Sequence, residues 1–271
     1  MRLATWNIRW GRRIDTDPRA SVTSDTACLR EIGAAVADLG IDVLAVQEVD
    51  QKLARSGRTR QIDSIAYAMG AQPGQYRFTA HNLGPATGLR MRPFRSDAHG
   101  LPAFGIGMCT TMPVRSWHIL NFPLRLPDIS MWAGTRPWWE RIVVFDLTRS
   151  LSAVVVNPQA PISVANFHAP VPTYAGREQL AMAAAAMTRL PGPRIIMGDF
   201  NADPGAAAAT IGWHSLTEGL TYPATQPQIQ LDGIISDQPL TVSASGVENL
   251  PFSDHRLVWA DVDVSGVKQA Q

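Results

Sequence analysis

The sequence predicts a single α/β domain, on three observations. Short apolar runs alternate with stretches of helical periodicity, several of those runs stop at a polar residue capable of chemistry, and no repeat, low-complexity tract or composition break marks a linker. A length of 271 residues exceeds the common single-domain size, yet two-sheet folds of this length are often one unit. The expected domain is residues 1–265, with a tail over 266–271.

Residues 3–8 read as a first strand, followed by a polar, Arg-rich turn through Asp17-Pro18. Residues 24–39 form the clearest helix: Leu29, Ile32, Val36 and Leu39 share one face, and Gly40 stands where a helix ends. The run 41–46 is a buried strand that stops at Gln47-Glu48, and a second helix is expected over 61–69. From 82 to 107 the chain is rich in Gly, Pro, Arg and His without clear periodicity, which predicts a long loop. Strands are expected at 106–110, 142–147, 151–156 and 162–167, the last stopping at His168. An Ala- and Met-rich helix over 174–190 ends at Pro191-Gly192, and the strand 194–197 stops at Gly198-Asp199. Asp203-Pro204 reads as a helix start, and the closing strands are 230–235 and 257–264.

Bulk properties narrow the function. A formal net charge of +1 lacks the basic surplus of a protein that grips many phosphates of a duplex. The pair Cys28 and Cys109 gives no disulfide framework and no C-x-x-C metal motif. With no secretory leader at the start and no apolar run approaching the ~18 residues of a membrane span, a cytoplasmic monomer without membrane insertion is expected.

Chemistry concentrates at strand ends. Asn7 closes the first strand and Glu48 follows the second; His168, Asp199 and Asn201 follow apolar runs; Asp232 lies in a short apolar strand; Asp254 and His255 open the last one. A carboxylate set in an apolar strand costs several kcal/mol unless a cation or hydrogen-bond donor meets it. Carboxylates and amide oxygens without a thiol among them suit a hard cation, Mg²⁺ or Mn²⁺. Singly, each of these residues has an ordinary reading as a turn, a cap or a satisfied histidine.

Their order is the stronger signal. Thr5-Trp6-Asn7-Ile8, Gln47-Glu48-Val49, Asn166-Phe167-His168, Gly198-Asp199-Phe200-Asn201, Leu231-Asp232 and Ser253-Asp254-His255 occur in the succession of the endonuclease/exonuclease/phosphatase superfamily, which the chain resembles from about Leu3 to Val264. Arg55-Ser56-Gly57-Arg58 and Thr221-Tyr222-Pro223-Ala224 are similar to segments of small bacterial members. The resemblance implies a deoxyribonuclease I-like fold, a four-layer α-β-β-α sandwich. It implies a divalent-metal-dependent phosphohydrolase acting on a phosphodiester or phosphomonoester, with nuclease action among the options. By the same resemblance Glu48 is the principal metal ligand, with Asn7 and Asp254 supporting it. His255 abuts the scissile phosphate with its tautomer fixed by Asp232, Asp199 positions or deprotonates the attacking water, and Asn201 and His168 donate to the non-bridging oxygens. Whether Asp199 or His255 is the base stays open.

The chain departs from the superfamily pattern in two places. A Ser-Arg-x-Pro segment is replaced by Cys109-Thr110-Thr111-Met112-Pro113, and Gly233 stands where an aromatic residue or histidine is frequent, which is expected to loosen packing beside Asp232 and His255. Phospholipid or sugar-phosphate phosphatase action on the same site is an alternative, and a catalytically silent binding module is a second class. Arg12, Arg13, Arg55, Arg58, Arg60, Arg90, Arg92 and Arg95 are either a phosphate-facing patch or a solvated surface. Trp132, Trp138 and Trp139 fit packing or stacking on a base or sugar. His81, His99, His118 and His214 show no spacing that argues for a role.

Overall fold

The structure, a computed structural model, describes residues 1–13, 26–85, 92–96, 100–124, 148–171 and 173–264. The expected strand at 142–147, the three tryptophans near 132–139, Asp17-Pro18, Arg90, His99 and the tail lie outside the described residues.

Two sheets pack face to face. The first is ordered β12-β13-β1-β2-β5-β3-β4 and the second β10-β11-β9-β8-β7-β6. The first sheet comprises β1 (Arg2–Asn7), β2 (Val43–Gln51), β3 (Tyr76–Leu83), β4 (Arg92–Ser96), β5 (Ala103–Thr110), β12 (Thr241–Glu248) and β13 (Leu257–Asp263). The second comprises β6 (Val114–Asn121), β7 (Ser150–Val156), β8 (Ile162–His168), β9 (Arg194–Asp199), β10 (His214–Ser215) and β11 (Asp232–Ser236). Helices α1 (Thr26–Asp38) and α2 (Gln61–Ala68) cover the outer face of the first sheet, and α3 (Thr173–Met187) and α4 (Pro204–Thr210) that of the second. This is the four-layer α-β-β-α sandwich.

Hydrophobic periodicity accounts for the layers. Leu29, Ile32 and Val36 of α1 are fully buried against Trp6, Leu44 and Val46 of the first sheet. Leu180, Ala183 and Met187 of α3 do the same with Ala165, Phe167 and Ile196 of the second. A third cluster, with Leu3, Val43, Met108, Val154, Val164, Ile195 and Met197, fills the space between the sheets. Burying a side chain of this size contributes about 1.5–3 kcal/mol. The parallel pairs β1–β2 and β8–β9 bring Asn7 beside Gln47 and His168 beside Asp199, so the C-terminal ends of both pairs meet at one mouth.

Three expectations need correction. The loop expected over 82–107 holds the end of β3, all of β4 and most of β5. Glycines at 105 and 107 and the buried polar residues Thr79, His81 and Asn82 broke the apolar alternation there. Second, β2 does not stop at Gln47 but runs to Gln51 through a bulge: Val46 faces Gly107 and Val49 faces Gly105, so one extra residue is carried on β2. Third, Gly233 does not loosen its surroundings, because a Cβ there would meet Pro204 Cβ and Cγ at 2.7 Å. The glycine lets α4 sit directly on β11. Asp203 caps that helix as expected, accepting from the Ala206 amide at 2.7 Å.

Candidate functional site

Each site residue is placed by a local device. Trp6, fully buried, donates from its indole Nε1 to the His255 carbonyl at 3.1 Å and so ties β1 to the 253–255 turn. Ser253 adopts φ 65°, its hydroxyl donates to the Asn7 carbonyl at 2.5 Å, and the His255 amide donates back to that hydroxyl at 3.1 Å. The Ser-Asp-His turn is thus sewn to the end of β1. Glu48 occupies the β2 bulge with φ 54°, a left-handed conformation that costs a non-glycine residue about 1–3 kcal/mol. Gly198 has φ 156°, and a Cβ on it would lie 1.7 Å from the Phe167 carbonyl oxygen. Only glycine lets β9 approach β8 this closely and present Asp199 next to His168. Asn201, at φ 47°, donates its amide to Asp199 Oδ1 at 2.9 Å.

These devices gather the residues. Asn7 Nδ2 donates to Asp199 Oδ2 at 3.0 Å and to Glu48 Oε1 at 3.4 Å. Asp199 Oδ2 lies 3.7 Å from His168 Nε2 and 3.9 Å from His255 Nε2. His255 Nδ1 is hydrogen-bonded to Asp232 Oδ2 at 2.8 Å. Asp232, wholly buried at the start of β11, is reached because β11 pairs with β9, which sets it opposite Asp199. Asn201 Nδ2 donates to the Ala169 carbonyl at 2.8 Å, and Asp254 Oδ2 pairs with Arg9 at 3.0 Å. All the residues singled out in the sequence therefore belong to one contact network, although Asn201 reaches it through its backbone and Asp254 through its neighbour His255.

Burial and charge work against each other here. Burial raises the Asp199 carboxyl to about 6, against the opposing pull of His255. Glu48 is also raised, first by burial and then by the Asp254 charge. Burial disfavours charge on His255, but Asp232, Asp199 and Asp254 outweigh it and push its proton affinity up to about 10. His168 goes the other way: burial and the nearby Arg149 hold it well below its ordinary value, so it is neutral.

Several residues here escaped sequence reading. Arg9 follows Asn7 at φ 44°, with its amide donating to Asn7 Oδ1 at 3.1 Å. Arg149, buried, donates to the His168 carbonyl at 3.1 Å. The Tyr222 ring lies with its centroid 4.9 Å from that of His255. His81 places its ring centroid 6.3 Å from that of His168. None had a spacing signal of its own, though Tyr222 lies within the segment 221–224 and Arg9 directly follows the motif 5–8. Three of the singled-out arginines are engaged with acidic neighbours: Arg13 pairs with Glu31, Arg55 is bidentate on Asp50 and stacks at 4.1 Å on Trp10, and Arg60 pairs with Asp63. No helix of the described residues is long and apolar enough to cross a membrane.

Solved structures share the fold at low identity. An endonuclease/exonuclease/phosphatase from Beutenbergia cavernae superposes with TM-score 0.66 at 18% identity, over 96% of this chain and 70% of that one. A family protein from Leptotrichia buccalis gives 0.63 at 16%, over 97% and 99% of the two chains. A mannosyl-6-phosphatase from Bacteroides thetaiotaomicron gives 0.60 at 15%, over 97% and 99%. No curated protein matches the sequence. The profile described as Endonuclease/Exonuclease/phosphatase family matches residues 4–255. With its motifs assembled at one mouth and that profile spanning nearly all of it, the chain belongs to the endonuclease/exonuclease/phosphatase family, whose members are phosphoester hydrolases.

Proposed function

We propose that this protein hydrolyses a phosphodiester or phosphomonoester with the help of Mg²⁺ or Mn²⁺, by attack of water at the mouth between the sheets. The observation that carries this reading is Asn7 bridging Glu48 and Asp199, with Asp199 in turn less than 4 Å from His168 and His255.

Two donor sets compete for the cation. Asp199, Asp232 and His255 offer ligand atoms within 4.8 Å of one another. In that set, however, His255 is held through Nδ1 by Asp232 and has a raised proton affinity, so a cation on its Nε2 would have to displace that proton. Glu48 and Asp254 fit better: the Asp254 charge adds to burial in raising the Glu48 carboxyl, and among the described residues the direct donor to Glu48 is the weak 3.4 Å contact from Asn7. Asn7, Glu48 and Asp254 would hold the ion, which when bound neutralises phosphate charge and stabilises the leaving oxygen.

The remaining residues act on protons and charge. His255, flanked by Asp232 and Asp199, keeps its proton and donates from Nε2 to a phosphate oxygen. Asp199, oriented by the Asn7 side chain and the Asn201 amide, takes the proton of the attacking water, a role that this orientation favours over His255. Neutral His168 donates from Nε2 to a non-bridging oxygen, and Asn201 offers its second Nδ2 hydrogen. With no basic surplus, and with Arg13, Arg55 and Arg60 engaged with acidic neighbours, a small or single-stranded phosphate ester suits this mouth better than a long duplex.

The test is hydrolysis of bis(p-nitrophenyl) phosphate, single-stranded DNA, abasic DNA, sphingomyelin, inositol phosphates and mannose 6-phosphate, with and without EDTA. Activity on at least one substrate is expected, abolished by EDTA and restored by Mg²⁺ or Mn²⁺. Turnover that survives chelation would overturn the metal assignment.

A further inference from the structure

The space between the sheets is not apolar throughout. Phe78 and Ala80 pack under α1 and α2, so Thr79 between them faces the second sheet, and His81, at a register irregularity of β3, reaches that sheet through its Nε2 contact with the Ser150 carbonyl. Leu151 and Ala153 pack toward α3, so Ser150 and Ser152 on β7 face the first sheet, as do Asn166 and His168 on β8, which alternate with Ala165 and Phe167. Among the polar atoms on these faces, Thr79 Oγ1, His81 Nδ1, Ser152 Oγ and His168 Nδ1 are buried without a hydrogen-bond partner among the described residues. An orphaned buried polar atom costs about 1–3 kcal/mol, and four from one seam are too many to leave unexplained.

Proton positions follow from the partners. His81 Nε2 lies 3.2 Å from the Ser150 carbonyl, which can only accept, so the His81 proton sits on Nε2 and its Nδ1 carries a lone pair. The Thr148 hydroxyl donates to the His81 carbonyl and fixes the backbone behind it. Burial and Arg149 lower His81 to about 3, which keeps it neutral in any ordinary buffer. The His81 and His168 ring centroids are 6.3 Å apart, too far for a direct bond between ring nitrogens on facing edges but suited to one intervening water.

We propose that ordered water held between the sheets by Thr79, His81, Ser152 and His168 makes His81 a positioning residue, which fixes His168 in the tautomer protonated on Nε2 and aimed at the mouth. Such a water donates one proton to each Nδ1 and accepts from the Ser152 and Thr79 hydroxyls, so all four groups are satisfied at once. His168 then presents N–H, not a lone pair, to a phosphate oxygen. The inference deepens the proposed function, because it rests on His168 as a phosphate donor.

The experiment is a long-range ¹H–¹⁵N correlation spectrum of the full chain with labelled histidine, assigned by single substitutions. Wild-type His168 is expected to be neutral with its proton on Nε2; a proton on Nδ1, or a tautomer mixture, would overturn the proposal without recourse to any variant. His81→Phe should scramble the His168 tautomer and lower kcat on bis(p-nitrophenyl) phosphate with Mg²⁺ about tenfold, with KM within about twofold. His81→Asn places an amide oxygen close to the Nδ1 position and should recover most of both. If His81→Phe scrambles the tautomer but leaves kcat intact, the positioning stands and the catalytic assignment of His168 falls. An unchanged tautomer in His81→Phe sinks the positioning itself.

Discussion

The two ends of the inter-sheet space are built on opposite principles. At the far end Leu3, Val43, Met108, Val154, Val164 and Ile195 form an apolar cluster through which the sheets adhere by buried area. Toward the mouth the same strands carry polar residues. Gln47 Nε2 donates to Thr5 at 3.0 Å and to Asn166 Oδ1 at 2.7 Å, while Asn166 Nδ2 donates to the Val46 and Gly107 carbonyls at 3.0 and 2.8 Å. Beyond that layer come His81, His168, Asn7 and Asp199. The far end supplies stability with no chemistry; the mouth holds raised carboxylates and strained backbone that only the far end can support. The Asn166 layer lies between and fixes the register of one sheet on the other.

Substitutions can break that comparison. The largest effect is expected at the mouth: Glu48→Gln should cut kcat/KM on the order of 10³-fold while the melting temperature of the metal-free protein holds or rises, since a half-buried, poorly compensated carboxylate is removed. A variant with near-normal turnover would end the ligand role. Next, at the far end, Ile195→Ala should cost about 3 kcal/mol in urea unfolding with kcat of the folded protein unchanged. A large kcat loss there would mean that the two ends are not separable. In the intermediate layer, Asn166→Leu should show both faces of the gradient, losing about 2 kcal/mol because Gln47 and two carbonyls lose partners, and lowering kcat a few fold. If it proved neutral in both, the layer would be filler.

The smallest effect sharpens the electrostatics. His255 binds its proton up to about pH 10 in the folded chain, against an ordinary value of 6.5. Its contribution is therefore whole below about pH 6.5 and is lost as pH rises through about 10, because the unfolded chain has already released that proton. The metal-free protein should lose on the order of 5 °C in melting temperature across that window. Asp232→Asn should flatten the slope, and parallel curves for the two proteins would remove the Asp232–His255 coupling.

Sequence reading recovered the mouth better than the walls. Asn7, His168 and Asp199 end short, mostly apolar strands buried on both faces, so the terminal polar residue stands out against its run. Glu48 stood out too, but its bulge did not, because a phase shift inside a strand leaves no compositional mark. Strand β3 was hidden because its inward face carries Thr79 and His81, and the first half of β5 because Gly105 and Gly107 leave its helix-side face without side chains. The edge strands β6 and β12 are half-exposed and lack a clean alternation. His81 and Arg149 were invisible as lone residues; their meaning comes only from the second sheet arriving opposite them.

The extra residue in β2 makes length a constraint as strict as identity. Val46 and Val49 both belong to the core under α1 and α2, although three steps apart, an odd number that strict alternation forbids. Deleting any one residue from 44 to 48 would therefore rotate either the carboxylate or the valines by half a turn, whatever letters remained. A conservative point change in this stretch is an edit to one word; an indel is a shift of the reading frame for the whole strand.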